Sequence, residues 1–344
     1  MTSTIRIAGA GALGLSIAYA LTRKGIPVEV WDPGRPSHSA SGVAAGMLAA
    51  ITEIVLDRPL WTRDPVREAL LSAAQAHWLD DAVELNVPLD RSGALLPATE
   101  PGEAESTAHQ FRDFSDVRLL NGQQARARQP WLGESVKAAV FVPQDWRLDA
   151  PAALAALRTA VENVSGKLHR EPLPGAAFAQ GRVVIAAGYQ ARGFDLPELA
   201  CLTPIKGQLV KLTGGPTSGA TIRTPGAYIV PQAGGAIVGA TMEEGRDDTA
   251  VEPEAIRRLV AAAEAVMPGL QASASRGMAG VRASTPDGLP LVGPSSRDGV
   301  FLAVGARRNG WLLAPLVGRM VAAYLTGDDP GPYAARLDPR RFDR

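Results

Sequence analysis

A two-part fold is predicted for this sequence: an α/β half on a parallel sheet, interleaved with an α+β half built on a mainly antiparallel sheet. Three observations predict it. A strand, a glycine cluster, a helix and a second strand follow one another within residues 4–32, which is one βαβ unit. A further buried-type strand, Arg182-Val183-Val184-Ile185-Ala186, stops at Ala187-Gly188 after a helical stretch, as parallel strands do. Apolar runs at 205–212, 227–231 and 235–240, the last two joined by Gln232-Ala233-Gly234, have the spacing of an antiparallel sheet.

The elements follow in order. Thr4-Ile5-Arg6-Ile7-Ala8 alternates into Gly9-Ala10-Gly11-Ala12-Leu13-Gly14, residues 15–24 form a helix, and Val28-Glu29-Val30-Trp31 ends at Asp32. G-x-G-x-x-G between a strand and a helix permits a tight turn and lets a pyrophosphate approach the helix N-terminus. Asp32 stands where an acid accepts hydrogen bonds from both ribose hydroxyls of an adenosine, which disfavours a 2′-phosphate. A turn that merely packs a helix on a sheet is the alternative; strand, helix and acid together favour a dinucleotide and leave its kind open.

Asp64-Pro65 is an N-cap and N1 pair, opening a helix that carries Val66, Leu70, Ala74, Trp78 and Ala82 at four-residue spacing and places Trp78 in the core. Residues 88–148 are mixed, with strands near 93–97 and 138–142 whose order the sequence does not give. Asp149 and Pro151 start another helix, with Leu154, Leu157 and Val161 inward. A helix over 253–267 stops at Pro268-Gly269, strand 299–304 and helix 311–325 follow, and 328–344 reads as a polar tail.

Composition narrows the function. With 46% apolar and 20% charged residues in 344, the chain is globular and large enough to fold without disulfides or metal. Thirty-five basic and thirty-five acidic residues leave no net charge to gather phosphate backbones, which argues against nucleic acid as main partner. Cys201 stands alone, and with four scattered histidines it shows no zinc spacing, so no metal is expected. The longest apolar stretches, Val43–Leu56 and Trp311–Leu325, are broken by Glu53 and Arg319 and fall short of a membrane span. Without a leader-like N-terminus, a cytoplasmic protein is expected.

Beyond the glycine motif, ordered segments resemble the FAD-dependent D-amino-acid oxidase superfamily, and within it the glycine oxidases of thiamine biosynthesis, over nearly the whole chain. Ser41-Gly42-Val43-Ala44-Ala45-Gly46-Met47-Leu48-Ala49 is similar to the family's small-residue segment beside the flavin. Pro204-Ile205-Lys206-Gly207-Gln208, Tyr228-Ile229-Val230-Pro231 and Val238-Gly239-Ala240-Thr241-Met242 resemble strands of its substrate domain. Gly280-Val281-Arg282 with Thr285-Pro286-Asp287-Gly288-Leu289-Pro290, and Arg308-Asn309-Gly310-Trp311-Leu312-Leu313-Ala314-Pro315, resemble its C-terminal stretches.

The resemblance implies a Rossmann-like FAD-binding domain over 1–80, 145–203 and 272–344, interleaved with a substrate domain over 81–144 and 204–271. It implies that FAD contacts Gly9, Gly11, Ala12, Leu13, Gly14, Asp32, Ser41, Ala44, Ala45, Gly46, Met47, Leu48, Ala187, Gly188, Gly305, Arg308, Asn309, Gly310, Trp311 and Leu312. Arg282 is implied to grip a substrate carboxylate, a role suited to a planar guanidinium. Tyr228 and Met242 are assigned to the same pocket or else to the sheet core. Arg308 is expected either to stabilise reduced flavin or only to anchor cofactor or loop. Gly280 stands where related sarcosine oxidases carry a flavin-linking cysteine, so FAD is expected to be non-covalent. Gln190 replaces a common aromatic residue, and 161–181 is shorter than usual.

The expected reaction is oxidation of glycine, sarcosine or a small D-amino acid to an imine, with oxygen as acceptor and peroxide as product. A quinone-reducing dehydrogenase, a non-catalytic FAD-binding subunit and an enzyme acting on a modified transfer-RNA base are the other readings. A homo-oligomer is a general expectation for such an enzyme.

Overall fold

The computed structural model describes residues 4–57, 64–164, 166–179, 181–270 and 274–342. Among these residues two large sheets organise the chain. The first has six strands in the order Leu291–Pro294, Val300–Val304, Val183–Ile185, Ile5–Ala8, Val28–Trp31 and Lys167–His169, all parallel except the pair Leu291–Pro294 and Val300–Val304. The second has nine strands and is antiparallel apart from the pairing of Thr221–Thr224 with Ala94–Ala98. Thr203–Thr213 lies inside it, paired with both Gly235–Gly239 and Ala274–Ser284.

Helix starts follow their sequence signals. Asp64 Oδ1 accepts the N–H groups of Val66 (3.0 Å) and Arg67 (3.1 Å) ahead of helix Pro65–Glu84. Asp149 Oδ1 accepts Ala152 N–H at 2.8 Å ahead of helix Ala150–Asn163. Each satisfies an N–H that a helix start would otherwise leave unpaired. Trp78 lies in the core, and its indole N–H donates to the Trp311 carbonyl at 2.8 Å, tying that helix to Gly310–Thr326. The C-terminal helix also crosses Ala12–Arg23 closely, since a Cβ on Gly318 would stand 2.7 Å from the Ser16 carbonyl oxygen.

Three segments depart from the sequence reading. The apolar stretch after Val43 contains a buried helix, Ala50–Asp57, that turns two acids inward. Ala274–Ser284, expected with the nucleotide half, pairs along its full length with Thr203–Thr213 in the second sheet. Residues 328–342 are docked rather than a loose tail: Leu337 is buried, and Arg336 and Arg341 hold Asp287 at 2.6 and 2.9 Å. Asp287 of the Thr-Pro-Asp turn therefore serves this clamp.

Candidate active site

A cavity of about 480 Å³ opens where the C-terminal ends of the parallel strands meet the second sheet, the usual ligand position in an open α/β sheet. Gly9, Gly11, Trp31, Asp32, Ala187 and Gly305 come to it from the first sheet, and Val281, Arg282 and Ala283 from the second.

The three motif glycines have separate duties. Gly9 sits at φ +108°, and a Cβ there would lie 2.4 Å from the Ala186 carbonyl oxygen. A Cβ on Gly14 would lie 2.0 Å from the Gly9 carbonyl oxygen, so the helix can approach the strand only without it. Gly11 faces the cavity, and the nearest atom to a Cβ there would be Ser41 Oγ at 3.1 Å. Backbone at Gly11 is thus bare toward a ligand at the start of helix Ala12–Arg23, the arrangement a pyrophosphate needs.

Asp32 is held in place by the loop it serves. Its Oδ2 accepts Ala10 N–H and its Oδ1 accepts Gly34 N–H, each at 2.7 Å. Carboxylate oxygens have further lone pairs, so acceptor capacity remains for ribose hydroxyls. Ser41 Oγ accepts Ala12 N–H at 3.0 Å, and its carbonyl accepts the Trp311 indole N–H at 3.0 Å, fastening the cavity wall to the C-terminal helix. The short 161–181 stretch still reaches the site: Pro172 and Leu173 line it, and the His169 ring stacks on Trp31 with centroids 3.7 Å apart. The bare glycine loop and the positioned acid together fit the pyrophosphate and ribose of an FAD.

At the far end, Arg282 is partly buried and lies against Gly207. Its Nη1, Nη2 and Cζ all fall within 2.5 Å of where a Gly207 Cβ would be. Its contacts are Thr241 O at 3.5 Å and Met242 Sδ at 3.6 Å, and among the described residues no carboxylate pairs with it. Burial lowers its pKa and raises that of Tyr228, with the neighbouring guanidinium opposing the second shift. Tyr228 sits over Gly239, where a Cβ would meet its hydroxyl at 2.7 Å.

Behind this end lies a charge cluster that sequence reading missed. Glu53 pairs with Arg308 (2.6 Å) and Arg223 (3.1 Å), and Asp57 with Arg308 (2.7 Å), Arg67 (2.8 Å) and Arg307 (3.2 Å). Burial would raise Glu53, but the two guanidiniums outweigh it and bring its pKa down to about 2. Asp145, hydrogen-bonded to the Thr52 hydroxyl, is raised by burial to about 6. Only the acidic residue inside an apolar stretch, Glu53, could have hinted at this in the sequence.

The other expected residues divide by place. Ala12, Leu13, Ser41, Gly188, Gly305 and Gly310 line the cavity with those already named. Gly14, Ala44, Ala45, Gly46, Met47, Leu48, Tyr228, Met242, Arg308, Asn309, Trp311 and Leu312 do not, and several support it instead. Ala45 packs with Leu209, Val230 and Ile237 of the second sheet; Gly46, at φ +75°, leaves room for the Leu148 carbonyl. Leu48 and Leu312 are core residues, and Asn309 and Trp311 are buried. Arg308 is engaged by Glu53 and Asp57, and Met242 is exposed. Gln190 lines the cavity, whereas Cys201 does not, and a side chain on Gly280 would strike Val43 and Ala40. No helix of the described residues is long and apolar enough to cross a membrane.

A family model described as FAD dependent oxidoreductase matches residues 4–324. The chain is 30% identical over 292 residues to the glycine oxidase of Geobacillus kaustophilus, covering 78% of this chain and 77% of that one. It is 30% identical over 278 residues to the putative thiamine biosynthesis oxidoreductase ThiO of Rhizobium etli, with 77% and 79% covered. The crystal structure of the Geobacillus kaustophilus glycine oxidase superposes with a TM-score of 0.83 at 27% identity, covering 99% of both chains.

Proposed function

The chain belongs to the FAD-dependent oxidoreductase family, and from that premise we propose that it oxidises the C–N bond of a small amino acid to an imine. The observation that carries this reading is Arg282, a guanidinium on the wall of the FAD cavity that no carboxylate of the described residues neutralises. The nearby guanidiniums of Arg223, Arg307 and Arg308 are all paired with acids. A partly buried cation left open at a ligand cavity invites an anionic ligand, and a carboxylate matches its fork.

FAD would be held at Gly9, Gly11, Asp32 and Ser41, and when bound it supplies the acceptor for the hydride leaving the substrate α-carbon. The protein's own work is positioning. Arg282 binds the substrate carboxylate and so fixes where the α-carbon lies. Tyr228, kept protonated by burial, stands ready to donate a hydrogen bond to the same carboxylate. Similarity to glycine oxidase and to the thiamine biosynthesis oxidoreductase supports glycine as first substrate and a place in thiamine synthesis. Oxygen is the proposed acceptor, with hydrogen peroxide as product.

Arg282→Ala tests the reading. It is expected to lower kcat/KM for glycine by about 2–5 kcal/mol of lost interaction while FAD stays bound. An unchanged kcat/KM contradicts it, and peroxide assay of the wild type distinguishes oxygen from another acceptor.

A further inference from the structure

We propose that Met242 is a peroxide-reactive residue beside the substrate grip, and that its sulfoxide closes Arg282 to carboxylates. The inference rests on the reading of Arg282 as the carboxylate grip, and it takes its oxidant, hydrogen peroxide, from the proposed reaction with oxygen.

Backbone on both sides holds Met242 against Arg282. Thr241, just before it, donates its N–H to the Gln208 carbonyl at 3.0 Å, and its hydroxyl oxygen accepts the Gln208 N–H at 2.8 Å. Glu243, just after it, accepts the Gln208 side-chain amide at 2.7 Å. Gln208 is buried in strand Thr203–Thr213, next to the Gly207 on which the Arg282 guanidinium lies. Between these anchors Met242 Sδ stands 3.6 Å from Arg282 Nη1.

Exposure singles this thioether out. Met242 is 37% exposed, whereas Met267 and Met320 are buried and Met47 and Met278 are half-buried, packed against a core cluster. Methionine oxidation follows access, so among the described methionines peroxide reaches Met242 first. The sulfur lone pair takes one peroxide oxygen as the O–O bond breaks and an S–O bond forms. The thioether is oxidised by two electrons to a sulfoxide, and the other peroxide oxygen keeps both protons and leaves as water. A thioether is a weak acceptor, which leaves the Arg282 fork free for a carboxylate; a sulfoxide is polar, and its oxygen accepts readily. On a side chain already touching Nη1–H, that oxygen engages the guanidinium and competes with the substrate carboxylate. Accumulated product thereby loosens the grip on substrate, and reduction of the sulfoxide restores it.

The test treats FAD-loaded protein with hydrogen peroxide, maps the methionines by peptide mass, and titrates acetate, a minimal carboxylate, by the perturbation of flavin absorbance. One oxygen is expected on Met242 ahead of Met47, Met267, Met278 and Met320. The dissociation constant for acetate is expected to rise about fivefold or more, the scale of one hydrogen bond, and to recover on treatment with methionine sulfoxide reductases. Met242→Leu, apolar but without sulfur, is expected to keep its own acetate affinity within about twofold through the same treatment, less than that one hydrogen bond. Oxidation of Met242 that leaves acetate affinity unchanged overturns the proposal, as does earlier oxidation of another methionine or an equal loss in Met242→Leu. Glycine turnover in air is expected to place the same oxygen on Met242, and catalase to prevent it. Turnover that yields peroxide but spares Met242 overturns the proposal and leaves the amine-oxidation reading standing. A Met242-dependent loss of acetate binding in protein that no amine reduces leaves the proposed switch standing and removes that reading.

Discussion

The two ends of the cavity are built from different materials. At the nucleotide end the ligand surface is largely backbone: Gly9 and Gly11 line it from one glycine-rich loop, and the Asp32 carboxylate is positioned by the Ala10 and Gly34 amides. At the substrate end it is side chain, with guanidiniums and carboxylates gathered across 170 residues between Glu53 and Arg223 and 255 between Glu53 and Arg308. Backbone sites need a local conformation and so leave a local motif. Charge sites need only that distant elements converge, and they leave none.

The comparison is broken most forcefully at Glu53. Glu53→Gln leaves Arg223 and Arg308 short of a buried counter-charge and is expected to cost about 3–5 kcal/mol in urea unfolding. A loss below 1 kcal/mol would mean that the cluster is solvated and the contrast false. Its pH dependence has a definite sign: a carboxyl held at about 2 against an ordinary 4.5 stabilises the fold above 4.5, and that stability is lost as pH falls toward 2.

At the nucleotide end, Gly9→Ala meets both a positive φ and the Ala186 carbonyl, and is expected to cost about 3 kcal/mol and yield apoprotein. Gly11→Ala meets only Ser41 Oγ at 3.1 Å, so thermal unfolding of the apoprotein should change by less than about 1 kcal/mol while FAD retention in gel filtration falls. Equal stability losses would show that Gly11 serves packing and not a ligand.

A pH-dependent effect sharpens the substrate side. Asp145, raised to about 6 from an ordinary 3.8, binds its proton more tightly folded than unfolded, so stability falls as pH rises from about 4 through about 6. Asp145→Asn should remove that slope, worth at most about 2 kcal/mol between pH 4 and 6. A slope that persists assigns it to another group.

The same contrast explains what was legible in the sequence. The glycine loop, Asp32, the Asp64 and Asp149 caps and the strand Ala138–Val142 were readable because each rests on neighbours in sequence. Ala274–Ser284 was not, since Gly277, Gly280 and its polar residues hide a strand whose burial comes from long-range pairing with Thr203–Thr213. The docking of residues 328–342 through Arg336 and Arg341 was hidden for the same reason, because ion pairs to Asp64 and Asp287 leave no periodicity. Of the site, family likeness singled out Arg282, whereas Asp57, Arg223 and Arg307 belonged to no quoted motif.

The proposed amine oxidation is tested most directly by the visible spectrum of the FAD-bound protein under anaerobic conditions, before and after addition of glycine, sarcosine or D-alanine. The account predicts that at least one of them bleaches the oxidised-flavin band and that air restores it. A yellow protein that none of the three bleaches would contradict it.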